Sequence, residues 1–226
     1  MPLQLPLDFR LRDEATFERF VAGSNAELID ALQSMVTAAT PNAIYLHSGG
    51  EAGLGKTHLL QAMSRALDDA IYLPLGLMDN LPAEVFENIA VRRLVCIDDV
   101  DRIAGSQMHE IALFSLFKQI KDSGHALLLS CTQPVGRAGF KLQDLISRLN
   151  GCVQYQLQAV SDADRKTFLG DDAARRGLEL TDDVIDWILT HTPRDMSSLT
   201  DLLNTLDKES LRAQRRITIP FIKGLL

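Results

Sequence analysis

The chain has 226 residues and a mass of 25.0 kDa, enough for one sizeable hydrophobic core or for one core and a small satellite domain. No apolar run approaches the roughly 20 residues that span a bilayer, and no basic stretch followed by an apolar one opens the chain. We therefore expect a soluble, cytoplasmic protein. The net charge of -7 argues against a protein that holds DNA through a basic face of its own.

The three cysteines are odd in number and form no C-x-x-C pair. Cys96 and Cys131 lie inside apolar, strand-like runs, where a free thiol behaves as a small hydrophobic side chain. With Cys152, this usage predicts a reducing compartment and neither a disulfide framework nor a zinc site.

Predicted helices and strands alternate along the first two thirds of the chain. Ser24 and Glu27 have capping-box spacing, and a helical pattern of apolar residues follows through Leu28, Leu32 and Met35. Short apolar runs predict strands at 43–47, 70–75, 94–97, 126–130 and 153–157. Helical patterns lie between them, at 59–63, after Pro82 and over 107–121, the last with Ile111, Phe114 and Phe117 on one side.

The alternation predicts an α/β fold with a five-stranded parallel sheet covered by helices on each side. After Leu157 the strand signals stop. Helices are predicted over 161–176, 181–191, 193–214 and 218–226, which indicates a small all-α domain. We thus predict an N-terminal peptide and linker over 1–15, an α/β domain over 16–158 and a helical domain over 159–226.

A glycine-rich loop follows the first predicted strand. Its sequence, GEAGLGKT over 50–57, satisfies the phosphate-loop pattern, with glycines at Gly50, Gly53 and Gly55. The glycines allow backbone N–H groups to surround phosphates, and the next helix directs its positive end at them. Lys56 would reach the β- and γ-phosphates, and the Thr57 hydroxyl would hold Mg²⁺. The loop predicts a nucleotide site.

The third strand ends in two carboxylates, Asp98 and Asp99, as expected beside a phosphate loop. Asp98 would organise Mg²⁺ through its water shell. Asp99 lies where such enzymes place a water-activating acid, commonly a glutamate that is one methylene longer. We therefore predict nucleotide binding without fast hydrolysis.

These features together resemble the AAA+ superfamily, which implies a P-loop domain followed by a helical lid domain. Three stretches are similar to the bacterial initiator DnaA and its relatives: FVAGSN at 20–25, GLGKTHLL at 53–60 and RITIPF at 216–221. The resemblance implies an adenine nucleotide, ADP in the active form with ATP as the alternative. It places Val21 at the adenine pocket and His58 in the nucleotide-binding loop.

Three more positions take a role from this resemblance. Thr132 corresponds to a first sensor near the γ-phosphate, and Arg194 to a second sensor that couples nucleotide state to the lid. Arg148 ends the stretch DLISR at 144–148, which resembles an arginine-finger box acting in trans on a neighbour's γ-phosphate. Without the family, Arg148 is a helix-terminal arginine that caps carbonyl groups.

The chain also departs from the initiator. Fifteen residues precede Thr16, and the chain ends at Leu226 with an acidic balance, where DnaA continues into a basic DNA-binding domain. This arrangement resembles the short DnaA-related proteins that regulate replication initiation negatively. It implies DnaA as the partner, since Arg148 would promote hydrolysis of DnaA's ATP. A finger also implies neighbours, so a homodimer or a higher oligomer is a further expectation.

The segment QLPLDF, Gln4 to Phe9, matches the pattern by which many proteins dock on the bacterial sliding clamp. Gln4 supplies an amide that donates and accepts, while Leu7 and Phe9 are apolar anchors beside Leu5. The proline between the two leucines lowers the entropy lost on binding. The alternative is an apolar terminus that lies back on its own domain. Docking on the DNA-loaded clamp would bring the protein to DNA indirectly.

The leading hypothesis is therefore a replication regulator, at most a weak ATPase itself, that inactivates DnaA at the clamp. One alternative is a helicase loader of the DnaC type, whose phosphate loop is similar. It would require a single-strand-binding surface and a helicase-binding extension. A second alternative is a stand-alone ATPase with Asp99 as the base, which predicts fast turnover without partners.

Overall fold

The computed structural model describes residues 11, 15–37, 43–78, 81–213 and 216–225. Five strands form one parallel sheet: β1 (Ala43–His47), β2 (Ala70–Pro74), β3 (Leu94–Asp98), β4 (Ala126–Cys131) and β5 (Val153–Gln156). Eight helices accompany them in this part of the chain: α1 (Ala26–Thr37), α2 (Lys56–Ala66), α3 (Gln107–Ser123), α4 (Gln143–Asn150), α5 (Asp162–Arg175), α6 (Asp182–His191), α7 (Met196–Ala213) and α8 (Ile219–Lys223). The predicted α/β class is confirmed.

The sheet has the strand order β2-β3-β4-β1-β5. Strands β3 and β4 are buried along their length, and β1 is buried from Ile44 onward, because helices cover both faces, as their apolar sequences predict. All strands run in one direction, so the residues that follow β1, β3 and β4 lie at the same carboxyl edge. In open α/β sheets this edge is where ligands bind.

The chain divides into two compact units. The first contains the sheet and comprises the described residues up to Phe20, Asn25–Ala52 and Lys56–Gln158. The second comprises Val21–Ser24, Gly53–Gly55 and the described residues from Ala159 onward. Its core is formed by apolar side chains of α5, α6, α7 and α8, among them Leu169, Ile188, Leu203 and Ile222.

Helix α3 differs from its predicted pattern. Phe117 is buried, but Ile111 is 46% exposed and Phe114 is only partly buried. The buried face consists instead of Glu110, Leu113, Leu116, Phe117 and Ile120. Positions spaced strictly by three drift around a helix of 3.6 residues per turn, so Ile111 and Phe117 cannot share the centre of one face.

Smaller differences concern element ends. Strand β2 ends at Pro74, and Leu75 begins a short 3-10 turn instead of extending the strand. A threonine at the N-cap normally bonds the first turn, but Thr181 occupies this position of α6 without a side-chain capping bond, whereas the Ser161 hydroxyl accepts from the Asp164 N–H at the start of α5. Within the described residues, no helix is long and apolar enough to cross a membrane.

Candidate nucleotide-binding site

The phosphate loop connects the end of β1 to the start of α2. Gly50 and Gly55 have φ values of 109° and 100°, in the region that only glycine adopts without strain. Helix α2 begins directly at Lys56, so its first N–H groups and its positive dipole end follow the loop immediately. This is the local geometry that phosphate binding requires.

Ser48, which the sequence motifs did not indicate, holds the phosphate loop through hydrogen bonds. Its buried hydroxyl donates to the Glu51 carbonyl at 2.5 Å and accepts a hydrogen bond of 3.0 Å from the Lys56 ammonium. The Gly50 N–H donates to the Thr132 carbonyl at 2.9 Å, which ties the loop to the end of β4. Lys56 is therefore held at the base of the loop, and Thr132 contributes through its main chain.

His47, the last residue of β1, is buried beneath the same loop. Its Nδ1 accepts a hydrogen bond of 3.2 Å from the Gly49 N–H. Burial, and secondarily the Lys56 charge, lowers the pKa of His47. Both effects favour the neutral imidazole, which is the form that can accept this bond.

Asp98 is 2% exposed at the end of β3, and hydrogen bonds fix both of its carboxylate oxygens. Tyr72 of β2 donates from its hydroxyl to Oδ2 at 2.8 Å, and Ser130 of β4 donates to Oδ1. Burial raises the pKa of Tyr72, so that the phenol stays protonated as the donor. Neither donor was predicted, because each comes from another strand and only the sheet order brings it to Asp98.

Asp99 adopts a left-handed conformation with a φ of 57°, and its N–H donates to the Ser130 hydroxyl at 2.9 Å. Burial, and then the neighbouring Asp98 charge, raises the pKa of Asp99. Its carboxylate lies against Gly76, where a Cβ would overlap with Oδ2. The two adjacent carboxylates thus have different surroundings: two hydroxyl groups donate to Asp98, whereas no side chain or N–H group of the described residues donates to the carboxylate of Asp99.

The two residues of α2 that follow Lys56 have different surroundings. Thr57 is exposed in the first turn, whereas His58 turns to the segment before α1. A ring nitrogen of His58 lies 2.7 Å from the Thr16 carbonyl, and its ring lies 5.7 Å from the ring of Phe20. Thr57 is thus free to contribute an oxygen ligand, while His58 is engaged by residues preceding the predicted adenine pocket.

Arg148 lies in the last turn of α4 and is exposed. Its guanidinium is 6.0 Å from the centre of the Phe114 ring on α3. Such a cation–π contact at an exposed site contributes only about 0.5–1 kcal/mol, so the side chain can leave it for another partner. At the end of the helix the Gly151 N–H donates to the backbone carbonyl of Arg148, so this contact does not involve the guanidinium.

The second unit carries two predicted nucleotide-binding residues. Val21 is partly buried against the helical core. Arg194 lies just before α7, where its Nε donates to the Leu189 carbonyl at 2.8 Å and its Nη1 lies 3.1 Å from the Asp162 carboxylate. The Arg194–Asp162 ion pair is exposed, so solvent screens it and a phosphate could compete for the guanidinium.

The predicted clamp-binding residues Gln4, Leu5, Leu7 and Phe9 lie outside the described residues. Among the described residues, no group of three or more His, Cys, Asp or Glu could hold a metal ion. The Thr57 hydroxyl and the Asp98 carboxylate nevertheless fit Mg²⁺, which takes few protein oxygens and completes its shell with phosphates and water.

The sequence matches two known protein families and a relative of similar length. Residues 162–226 match the family model described as "Hda, lid domain", and residues 11–72 match "Bacterial DnaA ATPAse domain". An uncharacterized protein of Haemophilus influenzae is 38% identical over 231 residues, covering 100% of this chain and 99% of that protein.

Two solved structures share the fold. Domain III of the Thermotoga maritima replication initiation protein DnaA has a TM-score of 0.77 at 20% identity, over 96% of this chain and 97% of that one. AMPPCP-bound DnaA from Aquifex aeolicus has a TM-score of 0.73 at 20% identity, over 91% and 68%. The parallel sheet, the phosphate loop and the helical unit define an AAA+ protein. More narrowly, the chain belongs to the Hda/DnaA-related family of AAA+ proteins.

Proposed function

We propose that this protein is a nucleotide-dependent negative regulator of replication initiation. It binds an adenine nucleotide, docks on the DNA-loaded sliding clamp and presents Arg148 to ATP-bound DnaA. The observation that carries the proposal is an exposed arginine at the end of α4, in a chain whose last 65 residues match the Hda lid model. DnaA's ATP is then hydrolysed, which ends its initiating activity.

The nucleotide assignment is supported by the loop geometry and by a neighbour that is AMPPCP-bound. Gly50, Gly53 and Gly55 with the start of α2 surround the phosphates, and Lys56 exchanges Ser48 for a phosphate oxygen. Thr57 and Asp98 would hold Mg²⁺, with the Thr57 hydroxyl as a ligand and Asp98 as the group that orders its water shell, and the ion would neutralise phosphate charge. The bound nucleotide is ADP in the active form.

The protein's own hydrolysis is weak at most. Asp99 has one methylene fewer than a glutamate and a left-handed backbone that directs its carboxylate against Gly76. A general base must reach its water within hydrogen-bond distance, so a short and diverted carboxylate serves poorly. The catalytic contribution is made instead to the partner's ATP.

That contribution is electrostatic. The Arg148 guanidinium stabilises the charge that develops on the transferring γ-phosphoryl group, which in other systems accelerates hydrolysis by about 10³–10⁵. Among the described residues, the contact of this exposed side chain is an aromatic face, so little interaction is lost when Arg148 leaves Phe114 for the nucleotide of a partner. Val21, His58, Thr132 and Arg194 keep their predicted roles around the protein's own nucleotide.

The clamp is the proposed platform. The clamp is bound by Gln4, Leu5, Leu7 and Phe9, and the protein reaches DNA indirectly through the clamp. It acts in the cytoplasm as a homodimer or a higher oligomer.

The test is ATP hydrolysis by DnaA with this protein, clamp and DNA, each omitted in turn. We expect fast hydrolysis only with all of them present. Fast turnover by the isolated protein would contradict the proposal and favour a stand-alone ATPase.

A further inference from the structure

Glu110 is a fully buried carboxylate, 0% exposed, in the first turns of α3. It accepts hydrogen bonds from the main-chain N–H groups of Gly105 at 2.7 Å, Lys141 at 2.9 Å and Leu142 at 2.6 Å. Burying a carboxylate is costly unless donors surround it, and main-chain N–H groups supply that stabilisation here. The donors to this buried carboxylate come from two separate loops. The function proposed above gives Glu110 no role.

The donors identify what Glu110 holds. Leu142 is the N-cap residue of α4, and its own side chain makes no capping bond. A Ser, Thr, Asp or Asn at the N-cap would normally bond the N–H groups of the following turn. Glu110, from a different helix, instead accepts from the N–H of Leu142 itself and from the N–H of the residue before it, and it places a negative charge at the positive end of α4.

Helix α4 carries Arg148. A helix of eight residues is not stable by itself, so its direction depends on what fixes its two ends. Leu145 and Leu149 are fully buried and hold its inner face, while Arg148 lies on the exposed side. Arg148 is six residues beyond Leu142, about 9 Å along the axis, so a change of angle at the capped end displaces the guanidinium.

We propose that Glu110 is a positioning residue for Arg148: by joining the start of α3 to the start of α4, it sets the direction in which the guanidinium leaves the protein. This inference rests on the proposed function, in which Arg148 acts on the ATP of a partner. The geometric part, that Glu110 holds the first turn of α4, is independent of that function and can be tested separately.

Two substitutions of Glu110 and one control test whether its charge and its length hold the start of α4. Glu110→Gln keeps the size but removes the charge and places an NH₂ group among N–H donors. Glu110→Asp keeps the charge but shortens the side chain by one methylene, so the two helix starts must shift or lose a bond. Glu87→Gln neutralises an exposed carboxylate of the same unit and serves as the control.

The first measurement is amide hydrogen exchange in the full chain. We expect faster exchange across 141–150 in both Glu110 variants, with the segment 182–191 of the second unit unchanged. The Glu87→Gln protein should exchange like the parent. Unchanged exchange across 141–150 in both variants would overturn the inference. If Glu110→Gln does not fold, the comparison rests on Glu110→Asp.

The second measurement is stimulated ATP hydrolysis by DnaA, titrated with each variant in the presence of clamp and DNA. A misdirected finger lowers the maximal rate by about tenfold to a hundredfold while the half-saturating concentration stays the same, because misplacement affects the transition state more than docking. A merely unstable protein would instead shift the half-saturating concentration and keep the maximal rate.

Arg148→Ala in the same assay distinguishes a failure of the positioning role of Glu110 from a failure of the proposed function of Arg148. If Arg148→Ala abolishes stimulation and the Glu110 variants retain the full maximal rate, the positioning role is wrong and the proposed function stands. If Arg148→Ala leaves stimulation intact, the finger fails and the positioning role fails with it.

Discussion

The Tyr72 hydroxyl donates a hydrogen bond of 2.8 Å to the Asp98 carboxylate, joining the edge strand β2 to the strand that ends at the candidate nucleotide site. Both side chains are buried, and the bond is charge-assisted. It fixes the orientation of the carboxylate proposed to organise Mg²⁺ through water. Tyr72 is thus a structural element of the site.

Removing this hydroxyl should affect both stability and metal dependence. We expect Tyr72→Phe to lower the free energy of unfolding by about 1.5–3 kcal/mol, the range for a hydrogen bond to a charged group. Urea unfolding measures this change. Nucleotide binding should also require more Mg²⁺, because Asp98 is less well oriented. Tyr155→Phe, which deletes a hydroxyl from β5 of the same sheet, is the control, and an equal loss of stability in both would contradict the assignment.

Asp99 predicts a pH-dependent stability effect. Its pKa is raised by burial and by Asp98, so the native state binds its proton more tightly than the unfolded chain. Ionisation of Asp99 therefore destabilises the native state above its folded pKa, and the penalty is absent below the ordinary carboxyl pKa of about 3.9. Asp99→Asn should raise the urea midpoint at pH 7, with the gain shrinking as the pH falls towards 4.

The substitution is suited to the site, because asparagine tolerates the left-handed conformation that Asp99 adopts. Asp122→Asn, an exposed carboxylate on α3, is the matched control and should leave the midpoint nearly unchanged at both pH values. A lower midpoint for Asp99→Asn at pH 7 would show that the charge stabilises the fold, contrary to this account.

The fold was predictable because its signals are local. The strand runs, the phosphate loop and the helices after Leu157 each follow from composition and spacing within one segment. The supports of the site were not predictable in the same way. Ser48 serves Lys56, and Ser130 serves Asp98 from another strand, so their roles depend on which strands become neighbours.

The role of Glu110 on α3 could not be predicted from the local sequence either. A glutamate in the first turns of a helix is ordinary in sequence, and the pattern placed Ile111 and Phe117 together instead. Only the tertiary structure brings the Lys141 and Leu142 N–H groups to its carboxylate. The roles proposed for Thr132, Arg148 and Arg194 rest on family resemblance, since no local rule separates these residues from ordinary polar side chains.

Lys56 should determine nucleotide affinity. Lys56→Ala removes a charge-assisted contact of about 1.5–3 kcal/mol to phosphate, which corresponds to about tenfold to a hundredfold weaker binding of ADP. Titration with a fluorescent ADP analogue measures it. Lys118→Ala, an exposed lysine on α3, is the control. Ser48→Ala should also weaken binding, because the loop loses the hydroxyl that holds the Glu51 carbonyl. Equal affinity in parent and Lys56→Ala would refute the phosphate-loop assignment.

The N-terminal segment should determine clamp binding and nothing else. Replacing both Gln4 and Phe9 with alanine removes the polar and the aromatic anchor, so we expect capture by immobilised clamp to be lost while ADP affinity is unchanged. Leu3→Ala, beside the motif but outside its pattern, should be captured like the parent. Capture of the double variant at the parental level would exclude this segment as the docking site and favour a terminus that packs on its own domain.

Arg148 should separate activation of the partner from every binding property. Its guanidinium contacts only the face of Phe114 among the contacts described, and it is exposed, so Arg148→Ala should change stability by less than about 1 kcal/mol. ADP binding and clamp capture should also remain. Stimulation of DnaA's ATP hydrolysis should fall by about 10³-fold or more, as when other arginine fingers are removed.

Arg92→Ala is the matched control, because Arg92 is an exposed arginine at the amino end of β3, at the edge of the sheet opposite the loop. The pair of variants decides the mechanism: equal stimulation by Arg148→Ala and Arg92→Ala would mean that the charge delivered to DnaA's ATP comes from another residue.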